Sequence, residues 1–122
     1  MIILVVEDDP IVLTVFVSML TSKGHETIAA QDAATATKLL GELEKTPDLL
    51  LLDVVLPGMS GIEYASLMRA RYPSIPIVFT TGYPHREAPA RFAGMGEVLR
   101  KPFRPHELFD IIERAYRERP VS

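Results

Sequence analysis

Apolar residues fall along this chain in two alternating rhythms. Unbroken runs at 2–6 (Ile2-Ile3-Leu4-Val5-Val6), 49–52 (Leu49 to Leu52) and 75–79 read as strands buried on both faces. Weaker runs at 26–30 and 97–100 read as edge or shorter strands. Between them apolar positions recur every three to four residues, as on a helix with one buried face. Asp9 and Pro10 open the first such segment, with Val12, Val15, Phe16, Met19 and Leu20 expected inward and Gly24 as its stop. Asp32 caps a second, carrying Ala36, Leu39, Leu40 and Leu43, and Pro47 bars its continuation. Ser60-Gly61-Ile62-Glu63 is a capping box for a third, with Tyr64, Leu67 and Met68 inward and Pro73 past its end. A last helix is expected from about Pro105 to Glu118, burying Leu108, Ile111, Ile112 and Ala115.

Strands that alternate with helices at short intervals predict a parallel sheet with right-handed crossovers and helices on both faces. The expected fold is therefore α/β and doubly wound; the flavodoxin-like order 2-1-3-4-5 for its five parallel strands is taken from the resemblance given below. In such a sheet ligands bind beyond the carboxyl ends of the strands, in the crevice between strands one and three. Residues 1–122 form one domain, long enough to bury roughly two thirds of the surface of the unfolded chain.

Composition removes several classes of function. Without cysteine there is neither a disulfide framework nor a thiolate metal site. A net charge of -3 with mixed signs gives no footprint for nucleic acid, and Arg114, Arg117 and Arg119 alternate with Glu113 and Glu118 as on a solvated helix face. No run approaches the ~20 apolar residues of a membrane span, and the start lacks a basic leader. We therefore expect a cytoplasmic protein that contacts neither nucleic acid nor membrane directly.

The chemistry lies at the ends of the apolar runs. Glu7-Asp8-Asp9 closes the first run and Asp53 closes the third. If those runs are neighbouring parallel strands the acids converge, and each close pair repels by roughly 3 to 4 kcal/mol at an effective dielectric of ~20. A cation is needed between them. No glycine-rich phosphate loop follows the first strand, so acids stand where a nucleotide site would have glycines. After the fourth run comes Thr80-Thr81-Gly82, and after the fifth Lys101-Pro102. Carboxylates, hydroxyl and ammonium around one point suit Mg²⁺ with oxygen ligands and a phosphoryl group. The three histidines, His25, His85 and His106, are scattered and suggest no metal cluster.

With these residues assembled, the chain resembles a response-regulator receiver domain of two-component signalling over nearly all of residues 2–117. This strand order is one for which the family is known, so the expected order is part of the resemblance. The resemblance implies that Asp53 is the phosphoacceptor, Asp8 a direct Mg²⁺ ligand, Glu7 an acid acting on the metal through water, and the Val55 backbone carbonyl a further ligand. Thr81 matches the switch hydroxyl and Lys101 the lysine that pairs with the aspartate or its phosphoryl group. Asp9 serves the first helix instead, and Lys101-Pro102 is expected to be a cis peptide. The phosphodonor would be a phosphohistidine on a histidine kinase or histidine phosphotransfer protein, with homodimerisation left open.

Departures from the common pattern sharpen the reading. Val98 stands three residues before the lysine, where many receivers have an aromatic that swings with the threonine. Pro84, Pro89, Gly94 and Gly96 interrupt the segment from Tyr83 to Gly96, so the fold's fourth helix, between strands four and five, is expected to be short or absent. Phe79-Thr80-Thr81-Gly82-Tyr83 resembles the Phe-x-Thr-Gly-Tyr run of an atypical receiver subgroup, and also receivers within hybrid histidine kinases. Val55 and Tyr83, two residues beyond Asp53 and Thr81, are apolar or bulky where polar side chains in some members assist the attacking water, which predicts slow self-dephosphorylation. Ile11, Leu13 and Val17 lie beyond the inward stripe of the first helix and are a candidate docking face for a helical partner.

Other readings stay open at this stage. One is the receiver of a hybrid kinase acting as a phosphorelay intermediate. Another is a Mg²⁺-dependent aspartyl-phosphate hydrolase, which would want an acid where Val55 stands. The last is a receiver-like interaction domain that takes no phosphate, against which the complete acid set argues.

Overall fold

The structure is a computed structural model and describes residues 1–82 and 94–120. Five strands, β1 (Ile2–Val6), β2 (Glu26–Ala30), β3 (Leu49–Asp53), β4 (Ile77–Thr81) and β5 (Glu97–Arg100), form one parallel sheet in the order β2-β1-β3-β4-β5. Four helices are described: α1 (Pro10–Ser22), α2 (Ala33–Leu43), α3 (Gly61–Arg71) and α4 (Pro105–Arg117). The expectation of a short or absent helix between β4 and β5, and the placement of Tyr83, fall largely outside the described residues.

The runs of leucine, isoleucine and valine are buried on both faces because helices cover both. Alternate strand residues Leu4, Leu50, Leu52 and Phe79 pack under α2 and α3, against Ala36, Leu40, Tyr64 and Met68. Their neighbours Ile3, Val5, Leu51 and Val78 pack under α1 and α4, against Phe16, Leu20, Leu108 and Ile112. Burying each large apolar side chain in this way contributes about 1.5–3 kcal/mol.

Short-range signals place the helix starts. The Asp9 carboxylate accepts the amide of Ile11 at 2.9 Å, Asp32 that of Thr35 at 2.7 Å, and the Ser60 hydroxyl that of Glu63 at 3.2 Å. Each cap satisfies an amide that the helix itself leaves unpaired.

Tertiary packing moves other boundaries. The fourth strand runs two residues later than its apolar run, from Ile77 to Thr81, so Thr80 and Thr81 close the strand rather than follow it. Two β-branched threonines are good strand residues when the neighbouring strand is in place. Helix α2 ends at Leu43, with Glu44 in the left-handed region at φ 52°, before Pro47 is reached. Val15, Leu43 and Leu67 point outward rather than inward, Leu67 with 55% of its surface exposed. Leu13 packs partly against the α1/α4 core, so of the proposed docking residues Ile11, 75% exposed, is the one that stands clear.

Candidate functional site

The crevice at the carboxyl ends of β1 and β3 is where the topology reverses: β2 lies to one side of β1, and β3, β4 and β5 to the other. Glu7 follows β1 directly, Asp53 is the last residue of β3, and Lys101 follows β5. Glu7 and Asp53 are 1% and 6% exposed, whereas Asp8 is exposed.

Both oxygens of Asp53 are held. Its Oδ1 accepts the Val55 amide at 2.9 Å, and its Oδ2 accepts the Lys101 ammonium at 2.9 Å. The same ammonium donates to Glu7 Oε1 at 2.5 Å, and the other Glu7 oxygen accepts the Asp9 amide at 3.1 Å. The Lys101-Pro102 peptide is cis, and the Lys101 amide donates to the Thr81 carbonyl at 2.8 Å. The end of β4 and the lysine-bearing segment are thereby joined by a backbone hydrogen bond.

The electrostatics follow from two buried acids served by one lysine, with Asp8 exposed beside them. Burial pushes the Glu7 carboxyl up from 4.5 to about 7; the Lys101 and Asp9 hydrogen bonds pull it back, and the nearby Asp53 charge adds to the rise. Burial would depress the Lys101 ammonium, but its hydrogen bonds to Asp53 and Glu7, with their charges, outweigh that and hold it above 10.5.

Glu7, Asp8 and Asp53 present carboxylate oxygens that all lie within 4.8 Å of one another. When all three carboxylates carry charge, one ammonium leaves two negative charges, which a divalent cation balances. All-oxygen donors, one of them exposed and open to solvent, fit Mg²⁺.

The structure brings together Glu7, Asp8, Asp53 and Lys101 as expected, with Thr81 buried at the end of β4. The Val55 amide faces Asp53 while its side chain is half exposed beside the site. Asp9 caps α1 as expected. Two features escaped sequence reasoning: the direct Glu7–Lys101 contact, and Gly61, read only as part of a capping box. The first carries no local signal, because Lys101 lies 94 residues from Glu7 and meets it only once β1, β3, β4 and β5 are side by side.

A parallel α/β sheet that gathers an acid cluster and a lysine at its switch point places these groups where doubly wound sheets bind their ligands. The model of the response regulator receiver domain family matches residues 3–113, and the chain belongs to that family. The chain is 33% identical over 114 residues to the response regulator protein FleR of Pseudomonas aeruginosa, covering 92% of this chain and 24% of FleR. It is 36% identical over 108 residues to the DNA-binding response regulator MtrA of Mycolicibacterium smegmatis, covering 87% and 46%. The chain thus spans between a quarter and a half of the length of these relatives. Among solved structures it superposes on a CheY-like receiver domain protein of Methanospirillum hungatei with a TM-score of 0.84 and 26% identity, covering 96% of this chain and 94% of that one. TrrA of Thermotoga maritima, solved in complex with Mg(2+)-BeF, gives 0.81 and 28%, covering 93% and 97%. Among the described residues no helix is long and apolar enough to cross a membrane.

Proposed function

We propose that this receiver domain takes a phosphoryl group onto Asp53 from a phosphohistidine of a histidine kinase or phosphotransfer protein, and that Asp8, Asp53 and the Val55 carbonyl, with Glu7 acting through water, would hold Mg²⁺ for the transfer. The single observation that carries the reading is the clamping of Asp53 by the Val55 amide and Lys101 within 4.8 Å reach of two further acids. A carboxylate oxygen of Asp53 attacks phosphorus; the new O–P bond forms as the P–N bond breaks and the imidazole leaves. The clamp fixes the nucleophile's orientation, so the barrier falls by positioning and charge neutralisation rather than by proton transfer. Lys101 balances charge on the incoming oxygens, and a bound Mg²⁺ would add to that neutralisation. The Mg(2+)-BeF complex of TrrA supports this assignment by similarity.

Thr81 is the proposed switch. Its carbonyl already holds the Lys101 amide, so an inward shift of its hydroxyl toward an acyl phosphate draws on the same strand end that anchors the lysine. Val98, half buried against the α2/α3 core, stands where the switch aromatic is common, which supports the atypical receiver subgroup. The resulting acyl phosphate is a regulatory signal rather than a turnover product.

Incubation with acetyl phosphate and Mg²⁺, followed by intact mass, tests the reading. One phosphoryl adduct is expected, absent in Asp53→Asn. Acetyl phosphate consumption without an adduct would instead indicate a hydrolase, and no reaction an interaction-only domain.

A further inference from the structure

Thr80 carries a polar group that the reading above leaves idle. It is 1% exposed, and among the described residues its Oγ1 has no hydrogen-bond partner. Buried hydroxyls are nearly always paired, because an unpaired one keeps none of the hydrogen bonding it had in water. Valine has the same shape and would fill the position without that penalty. A threonine there therefore points to a second state in which the hydroxyl is used.

Its place in the sheet says where. Thr80 is the register partner of Asp53 on β3 and of Leu99 on β5. Strand alternation puts it on the face of Val78 and Leu99, the face under α1 and α4, and Asp53 shares that face with Leu51. Lys101 starts beyond β5 yet reaches Asp53 on β3 and Glu7 beyond β1. Since β4 lies between β5 and β3, the lysine side chain crosses the end of β4, above the row that holds Thr80.

We propose that Thr80 is a positioning residue for Lys101, its hydroxyl accepting a hydrogen bond from the ammonium in the phosphoryl-loaded state, in which a bound cation would draw Glu7 away from the lysine. This rests on the receiver reading. An ammonium has three donors, and here two of them serve Glu7 and Asp53. Losing Glu7 frees one donor at the moment the lysine must be aimed at the phosphoryl oxygens. A neutral hydroxyl can take that donor without placing another negative charge beside them, which a carboxylate cannot do.

The test compares Thr80→Val and Thr80→Ser with wild type, without ligand and with Mg²⁺ plus acetyl phosphate. Without ligand, Thr80→Val is expected to melt at or above the wild-type temperature; a clear fall would show that the hydroxyl is already bonded and overturn the proposal. With phosphodonor, Thr80→Val is expected to form the acyl phosphate about three- to tenfold more slowly, the value of one hydrogen bond, and Thr80→Ser to restore the rate. Equal rates for Thr80→Val and wild type, or failure of serine to rescue, would overturn it while leaving the receiver reading intact. A wild-type protein that takes no phosphoryl at all would remove the receiver reading itself, and this proposal with it.

Discussion

The α-carbon of Gly61 lies so close to Asp53 that a β-carbon added there would stand 2.2 Å from the Asp53 carbonyl oxygen. The Gly61 amide also donates to the Val54 carbonyl at 2.8 Å. The first residue of α3 is thus packed directly onto the backbone of the proposed phosphoacceptor, and the helix sets the height at which Asp53 enters the crevice. No L side chain fits, because the obstacle is backbone rather than a side chain that could turn away.

Gly61→Ala is therefore expected to cost about 1–3 kcal/mol, as overpacking does, and to slow phosphoryl uptake by displacing Asp53 from Lys101. Thermal melting and the acetyl phosphate time course measure the two effects. An unchanged melting temperature would mean that the helix start relaxes freely.

Glu7 makes stability depend on pH. Its carboxyl holds a proton up to about 7 in the fold, against 4.5 ordinarily, so the folded state binds more protons across that interval. The stabilisation is complete below 4.5 and is lost as pH rises through 7. Without divalent cations, stability should fall across this window by on the order of 1–3 kcal/mol, and Glu7→Gln should flatten the curve. Lys101 stays charged throughout, its own value lying above 10.5, so it adds no slope there. Denaturant melts at several pH values check this; a wild-type curve rising with pH over the interval contradicts it.

The half-exposed Val55 side chain beside Asp53 bears on the lifetime of the acyl phosphate. An apolar group there gives an attacking water no hydrogen-bond partner. Val55→Asn should hasten the decay of phospho-Asp53 severalfold without altering the melting temperature. Decay at the wild-type rate would show that Val55 does not govern it.

Ile11 stands 75% exposed one residue into α1, at the site end of that helix. Ile11→Asp is expected to leave stability within about 0.5 kcal/mol and acetyl phosphate uptake unchanged, while slowing transfer from a phosphohistidine protein. Transfer from the phosphohistidine protein at the wild-type rate would exclude this face as the docking surface.

How much of this was legible depended on the range of the interaction. Asp9, Asp32 and Ser60 cap their helices through amides two or three residues away, and such contacts are written in the local sequence. Val15 and Leu67 were misjudged because helical period says which residues share a face, but not how far the sheet reaches around it. The end of β4 was set by pairing of Thr80 with Asp53 and Thr81 with Arg100 rather than by apolar content.

Sequence by itself determined the alternation of strands and helices, the caps, and the placement of acids, threonines and lysine at strand ends, since these rest on spacing and residue chemistry. Only the tertiary structure decided that one lysine serves both Glu7 and Asp53, that Gly61 braces Asp53, and that the buried Thr80 hydroxyl has no partner among the described residues. Those depend on distances between segments far apart in the chain, which packing of the two helical layers against the sheet alone brings to a few ångströms.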